Sequence, residues 1–289
     1  MITGTTKLLG FFADPSSHSN SPLMYNTAFE KLGLDMRYLA FTVGKESIGD
    51  AVNAMRTLDM VGANVSMPNK TEVIKYLDDI SEEARLCGAV NTIVNRNGHL
   101  TGYNTDIYGA MKALKEIGAE IKGKDFMLFG LGGAGKAILT GLGMEGANKV
   151  SLFLRREPNK DETEFVEKIE NATGCKVEFF NFTSMIGKLG MTFRPGQVEA
   201  LINATNVGMG KLEGQSLVPD NCTLPAALKV MDIIYHPEET ELMKQVKEAG
   251  CKGVCNGLSM LIYQGEAAFK LYTGLDMPVD DVRRAIMSL

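Results

Sequence analysis

The chain has no tryptophan and only three histidines, His18, His99 and His236, scattered along its length. Three dispersed imidazoles are too few for a zinc centre and form no Ser–His–Asp pattern, so metal-assisted hydrolysis and triad chemistry are set aside and no metal is expected. Long hydrophobic runs are also missing: no stretch approaches the ~20 apolar residues of a membrane span. Residues 1–12 lack the charged start, long apolar core and cleavage site of a secretory signal, so a cytoplasmic protein is expected. The net charge of −5 is modest and gives no overall attraction to nucleic acid or to an anionic membrane. Cys87, Cys175, Cys222, Cys251 and Cys255 are odd in number and scattered, which reads as reduced thiols rather than a disulfide framework. Cys251 and Cys255 flank Lys-Gly-Val, but no further ligands accompany them, so they do not read as a metal pair. Methionine is abundant where tryptophan is absent, and the simplest use of it is core filling.

At 289 residues the chain is long enough for two cores. Its most informative segment is Gly130-Leu131-Gly132-Gly133-Ala134-Gly135-Lys136-Ala137. An apolar run of strand length, 126–129, precedes it, and a helix-compatible stretch, 136–145, follows. Gly130, Gly132 and Gly135 satisfy G-x-G-x-x-G in the strand–turn–helix setting that the pattern requires. The first glycine allows the turn, the second a close approach of backbone to a pyrophosphate, and the third tight helix–sheet packing. The phosphates then meet the free N–H groups and positive end of the helix. The alternative is a glycine-rich turn with no ligand. Because the loop lies mid-chain, a separate module of more than a hundred residues precedes the nucleotide fold and is the expected substrate holder.

That first module alternates strand and helix patterns. Strands are expected at 7–12, 38–43 and 61–67, and helices at 22–32, 47–58 (Ser47 as N-cap), 70–77 and 81–87. Residues 91–94 and 100–103 pair around Asn97-Gly98, a strong hairpin signal. A helical connector, 107–117, leads to further strands at 126–129, 150–154, 177–180, 200–203, 230–234 and 253–256, with helical patterns between most of them. The segment between Ser184 and Gln197 is the least legible, and helices at 258–272 and 279–287 close the chain. The expected class is α/β: an N-terminal substrate domain with a mixed sheet (1–108), a Rossmann-type doubly wound nucleotide domain (109–261), and a cleft between them. The C-terminal helices (262–289) are expected to return to the first domain.

Among candidate chemical groups, Lys70 follows Met67-Pro68-Asn69 at the expected start of a helix. A cation there opposes the helix macrodipole, which is poor for stability but reasonable for an acid/base group; the bland reading is a solvated lysine. Asp106 closes Gly102-Tyr103-Asn104-Thr105-Asp106, where either it or Thr105 could simply cap the connector helix. Ser16-Ser17-His18-Ser19-Asn20-Ser21-Pro22 reads equally as an N-cap, with Ser21 capping and Pro22 first in the helix, and as a hydroxyl cluster for a carboxylate.

Together these motifs make the chain similar to the shikimate dehydrogenase family, nearest its quinate/shikimate branch, over essentially the whole length. The family's serine motif stands here as 18–22, its lysine motif as 62–70, and Gly88-Ala89-Val90-Asn91-Thr92 and the segment 102–106 follow. After the glycine loop come Asn203-Ala204-Thr205-Asn206-Val207-Gly208-Met209 and Gly257-Leu258-Ser259-Met260-Leu261 with Gln264. The resemblance implies oxidation of a ring hydroxyl on shikimate or quinate, with hydride passing to a nicotinamide. It implies Lys70 and Asp106 as the catalytic pair, Ser19 and Ser21 on the carboxylate, and Ser66, Asn91 and Gln264 on ring hydroxyls, with Tyr38 and Tyr235 lining the same pocket. The cofactor would meet Gly130, Gly132, Gly133, Ala134, Gly135, Arg155, Arg156, Glu157, Thr205, Asn206 and Gly257. A monomer or homodimer is expected.

Two departures bear on the cofactor. NADP-preferring members carry Asn-Arg-Thr and a further Arg where this chain has Leu154-Arg155-Arg156-Glu157. Glu157 could accept from a ribose 2′-OH and repel a 2′-phosphate, so NAD is favoured, while Arg155 and Arg156 leave NADP open. Asn256 stands where the family usually has Asp and is expected to loosen a turn. The rival readings are a methylenetetrahydrofolate-type dehydrogenase and a dinucleotide-sensing regulator without catalysis. The first expects a Tyr three or four residues before its lysine, which is missing before Lys70; the second is disfavoured by the presence of both Lys70 and Asp106.

Overall fold

A computed structural model describes residues 2–182, 198–219, 222 and 224–288. The stretch expected to be least legible, Ser184 to Gln197, lies outside the described residues. The chain divides into two compact units, residues 1–109 with 262–289, and residues 110–261.

The first unit is built on a six-stranded mixed sheet. Strand β1 (Lys7–Ala13) lies between β2 (Met36–Thr42) and β3 (Gly62–Val65), parallel to both. Then β5 (Thr92–Arg96) runs antiparallel to β3 and to β6 (His99–Tyr103), and the two-residue β4 (Asp79–Ile80) adds to β6. The hairpin turn is Asn97-Gly98, with φ of +55° and +88°, the paired positive dihedrals that favour Asn-Gly there. Helices α1 (Ser21–Lys31), α2 (Ile48–Thr57) and α3 (Glu82–Cys87) connect the strands. Ile48, Val52 and Met55 project from one face of α2 into a core with Phe12, Val65, Val73 and Ile93. Helix α9 (Val279–Met287) packs on α1, where Lys31 pairs with Asp281 at 3.3 Å.

Local expectations are corrected or refined at three places. Helix α1 begins at Ser21 itself, so Ser21 is not its cap. Ser47 does stand at the N-cap of α2, at the end of a 3₁₀ turn, but its side chain makes no cap bond. The helix expected at 70–77 is only a 3₁₀ turn, Glu72–Tyr76. β-Branched Thr71, Val73 and Ile74 disfavour a longer helix there, and the chain must re-enter the sheet at Asp79. Lys70 therefore opposes no helix macrodipole.

The second unit is a wholly parallel six-stranded sheet. Its strands are β7 (Asp125–Phe129), β8 (Lys149–Leu154), β9 (Lys176–Asn181), β10 (Ala200–Asn203), β11 (Lys229–Asp232) and β12 (Val254–Cys255). The spatial order β12-β11-β10-β7-β8-β9 is the 3-2-1-4-5-6 order of the doubly wound fold, read from the other edge. Helix α4 (Thr105–Glu116) enters this unit, and α5 (Gly133–Met144), α6 (Lys160–Thr173) and α7 (Glu241–Glu248) link strands within it, before α8 (Gly257–Thr273) leaves it. The central strands β7 and β10 are mostly apolar and buried, as a sheet covered on both faces requires, and Phe129 stacks on Phe153 at 4.5 Å. The chain reverses between β7 and β10, and at that switch point the strand ends form a crevice.

Candidate active site

In the first unit, Lys70 sits in the turn after β3 and Asp106 is the second residue of α4. Their Nζ and Oδ2 atoms are 2.6 Å apart, with side chains only 20% and 14% exposed. Strand β5 explains why the carboxylate points there. Asn91, immediately before β5, accepts from the Thr105 N–H at 2.8 Å and so caps α4 from outside the helix. Its Nδ2 donates to Asp106 Oδ1 at 2.9 Å and reaches Gln264 Oε1 on α8 at 3.4 Å. Asp106 is thus held on one oxygen by Lys70 Nζ and on the other by the Asn91 amide.

Beneath this pair lies a buried polar network that sequence reasoning missed. Tyr38 Oη donates to Asn64 Oδ1 at 2.8 Å, Asn64 Nδ2 donates to Thr92 Oγ1 at 3.0 Å, and Thr92 Oγ1 donates to Asn91 Oδ1 at 3.0 Å. Asn64 and Thr92 are polar residues in otherwise apolar buried strands, which was the available signal. Tyr38 has no surface exposure, so the expectation that it lines an open pocket is corrected: it supports Asn64 from within the core. Burial also holds its phenol well above the ordinary tyrosine pKa. Ser66 follows β3 and is half-buried; Ser19 Oγ accepts from the Ser21 N–H at 3.2 Å.

The glycine turn of the second unit passes a direct test for a dinucleotide. Gly130 has φ +90°, and a Cβ on Gly135 would stand 2.3 Å from the Gly130 carbonyl oxygen, so these two are required by the backbone. By contrast, Cβ atoms on Gly132 or Gly133 would meet nothing within 4 Å. That open space lies over the start of α5, whose Gly132 N-cap offers no side-chain bond and whose first turn holds no acidic residue. Uncapped N–H groups with no competing anion fit a pyrophosphate. A pocket of about 290 Å³ adjoins them, lined among others by Gly130, Gly132, Arg155, Thr205 and Asn206.

Several expected cofactor residues also have partners within the chain. Arg156 is held in a fork by Glu162 at 2.8 and 3.0 Å, and Glu162 also completes the Asn159 capping box of α6. Glu162 resists protonation: burial pushes its pKa up, but Arg156 and the Asn159 N–H outweigh that and hold it below the ordinary value. The Thr205 hydroxyl donates to Asn203 Oδ1 at 2.7 Å and accepts from the Val207 N–H, so it shapes its own loop. Gly257 donates its N–H to the Ile234 carbonyl, and a Cβ there would lie 1.9 Å from the Ile233 oxygen, so no side chain fits at this position. Arg155 meets Asn206 at 3.5 Å at the pocket edge, Glu157 is exposed, and Tyr235 is half-buried beside His236. The turn at Asn256 is not loosened: its Oδ1 accepts from the Leu258 N–H and its Nδ2 donates to the Glu238 carbonyl, a bond that an Asp could not donate. Among the described residues no group of three or more His, Cys, Asp or Glu side chains is placed to hold a metal.

Fold and turn define a Rossmann-type dinucleotide-binding protein that carries a separate mixed-sheet unit. Profiles of the "Shikimate dehydrogenase substrate binding domain" and the "Shikimate 5'-dehydrogenase C-terminal domain" match residues 11–93 and 257–287. A shikimate dehydrogenase (NADP(+)) of Streptococcus uberis is 46% identical over 98% of this chain and 96% of its own. The crystal structure of Listeria monocytogenes shikimate 5-dehydrogenase in complex with shikimate and NAD superposes with a TM-score of 0.91 at 42% identity, covering 99% of this chain and 98% of that one. Quinate dehydrogenase from Corynebacterium glutamicum, in complex with NAD, gives 0.86 at 28% identity over 98% and 99%. The chain belongs to the shikimate dehydrogenase family.

Proposed function

We propose that this protein is an NAD(P)-dependent dehydrogenase that interconverts shikimate and 3-dehydroshikimate, with quinate as a second substrate, in the cytoplasm. The observation that carries the mechanism is the 2.6 Å contact between Lys70 and Asp106, with Asn91 holding the second carboxylate oxygen. The unit formed by 1–109 and 262–289 binds the ring acid, and the unit 110–261 binds the dinucleotide at Gly130–Gly135. When bound, the nicotinamide supplies the hydride acceptor or donor. Lys70 takes the proton of the reacting hydroxyl during oxidation and returns it to the carbonyl oxygen during reduction. Asp106 aims the ammonium and neutralises the charge that Lys70 acquires, while Asn91 and Gln264 orient the neighbouring hydroxyls. Ser19 and Ser21 hold the substrate carboxylate, and Ser66 meets a ring hydroxyl.

NAD is favoured over NADP because the Arg156 fork is taken by Glu162 and the exposed Glu157 can accept from a ribose 2′-OH. Reduced-nicotinamide absorbance with shikimate or quinate against NAD or NADP tests the whole reading. Turnover of shikimate is expected. Silence in all four combinations, from protein that still binds NAD, would remove the substrate assignment.

A further inference from the structure

Asp232, at the end of β11, is a carboxylate with no exposure and no cation beside it among the described residues. All three of its described partners are donors. Oδ1 accepts from Asn203 Nδ2 and from the Ile234 N–H, both at 3.0 Å, and Oδ2 accepts from Thr240 Oγ1 at 2.8 Å. Burial raises its pKa in spite of these bonds, so keeping it costs stability, and an apolar residue would be the cheaper filler. What the carboxylate does is tie loops together. Asn203 spends its other atom on Thr205, accepting from its N–H at 2.9 Å and its hydroxyl at 2.7 Å. The adjoining Ala204 carbonyl and Thr205 methyl lie against Gly130, each 2.9 Å from where a Cβ on that glycine would be. The Ile234 amide fixes the turn that leads into Tyr235.

We infer that Asp232 is a positioning residue: through Asn203 it sets the 203–206 loop against the glycine turn and so shapes the dinucleotide pocket. It touches neither substrate nor cofactor. This deepens the proposed function and rests on it, yet its first readout is binding and needs no turnover.

The geometry makes an unusual demand on variants. In Asp232→Asn the amide nitrogen can face Thr240, whose hydroxyl can accept, and Oδ1 keeps both of its donors. Asp232→Ala loses all three bonds. The test titrates reduced dinucleotide by its fluorescence against wild type, Asp232→Asn, Asp232→Ala and Thr240→Ala. Expected are a dissociation constant raised about tenfold or more in Asp232→Ala, near wild-type affinity in Asp232→Asn, and a lower melting temperature with unchanged affinity in Thr240→Ala. Asn203→Ala, which leaves Asp232 two donors, carries the test if Asp232→Ala does not fold, and should weaken binding by a similar factor. Wild-type affinity in Asp232→Ala, or in Asn203→Ala where the former does not fold, would overturn the inference. So would equal weakening in Asp232→Asn or in Thr240→Ala, which would mean that charge or bulk stability is the cause. Failure of the wild type to oxidise shikimate would instead count against the proposed substrate alone.

Discussion

If Lys70 and Asp106 act as one device, removing either should cost nearly as much as removing both. Their separation of 2.6 Å, and the 20% and 14% exposure of their side chains, put them in the range where neighbours couple rather than add. General acid–base catalysis is typically worth ~10²–10⁴ in rate, or about 2.7–5.4 kcal/mol. Lys70→Ala, Asp106→Ala and the double variant are therefore each expected to lose ~10²–10⁴ in kcat. Independent residues would instead multiply to ~10⁴–10⁸ in the double variant. Lys70→Ala also leaves Asp106 with only the Asn91 amide of its two side-chain anchors. A fully buried pair would cost about 3–5 kcal/mol to break, and partial exposure brings this nearer 1–2 kcal/mol of stability. The assay is initial velocity with saturating shikimate, followed by reduced-nicotinamide absorbance, alongside a dinucleotide titration that should not change. A wild-type rate in Lys70→Ala, or a double-variant loss equal to the product of the single losses, would refute the shared-device reasoning.

Glu157→Ala should raise kcat/KM for NADP relative to NAD; an unchanged ratio would make Glu157 a surface residue with no part in cofactor choice. Gly135→Ala forces a Cβ to within 2.3 Å of the Gly130 carbonyl, so dinucleotide binding should fall at least tenfold, by about 1.4 kcal/mol or more, or the protein should fail to fold. Wild-type binding in a folded Gly135→Ala would show that the turn yields easily. For Glu162, whose pKa lies below its ordinary 4.5, the stabilisation is present above that pH and is lost as pH falls through the folded value. Glu162→Gln should accordingly lower the melting temperature near neutrality and flatten its fall below about pH 4.5; a parallel acid limb in both proteins would refute the pairing. Burial pushes the Cys175 thiol up to about 11, so it should resist alkylation at neutral pH until the protein unfolds. Rapid labelling of folded protein at Cys175, read by mass spectrometry, would contradict that burial.

Much of the architecture is written in local pattern. The apolar run before Gly130 and the three glycines specify strand, turn and helix within one short stretch, because only glycine tolerates φ +90° at Gly130 and the 2.3 Å approach at Gly135. Asn97-Gly98 likewise specifies its hairpin through two positive dihedrals. The candidacy of Lys70 and Asp106 came from motif order, since neither residue has a local signature that outweighs a solvated lysine or a helix cap. Lys70 begins no helix, because the β-branched residues after it and the strand at Asp79 decide that turn together.

Tertiary structure alone decided which polar groups face a ligand and which face one another. Tyr38 and Arg156 are both chemically suited to a site, yet one is sealed in the core beneath Asn64 and the other is held by Glu162. Asn91 became the hub of the Lys70–Asp106 corner, and Asp232 the anchor of the 203–206 loop, through partners as far as 173 and 29 residues away in the chain. Backbone conformation follows from near neighbours and their sterics, so periodicity and glycine spacing reveal it. A hydrogen bond between distant side chains depends on sheet register and strand order, which no local pattern encodes.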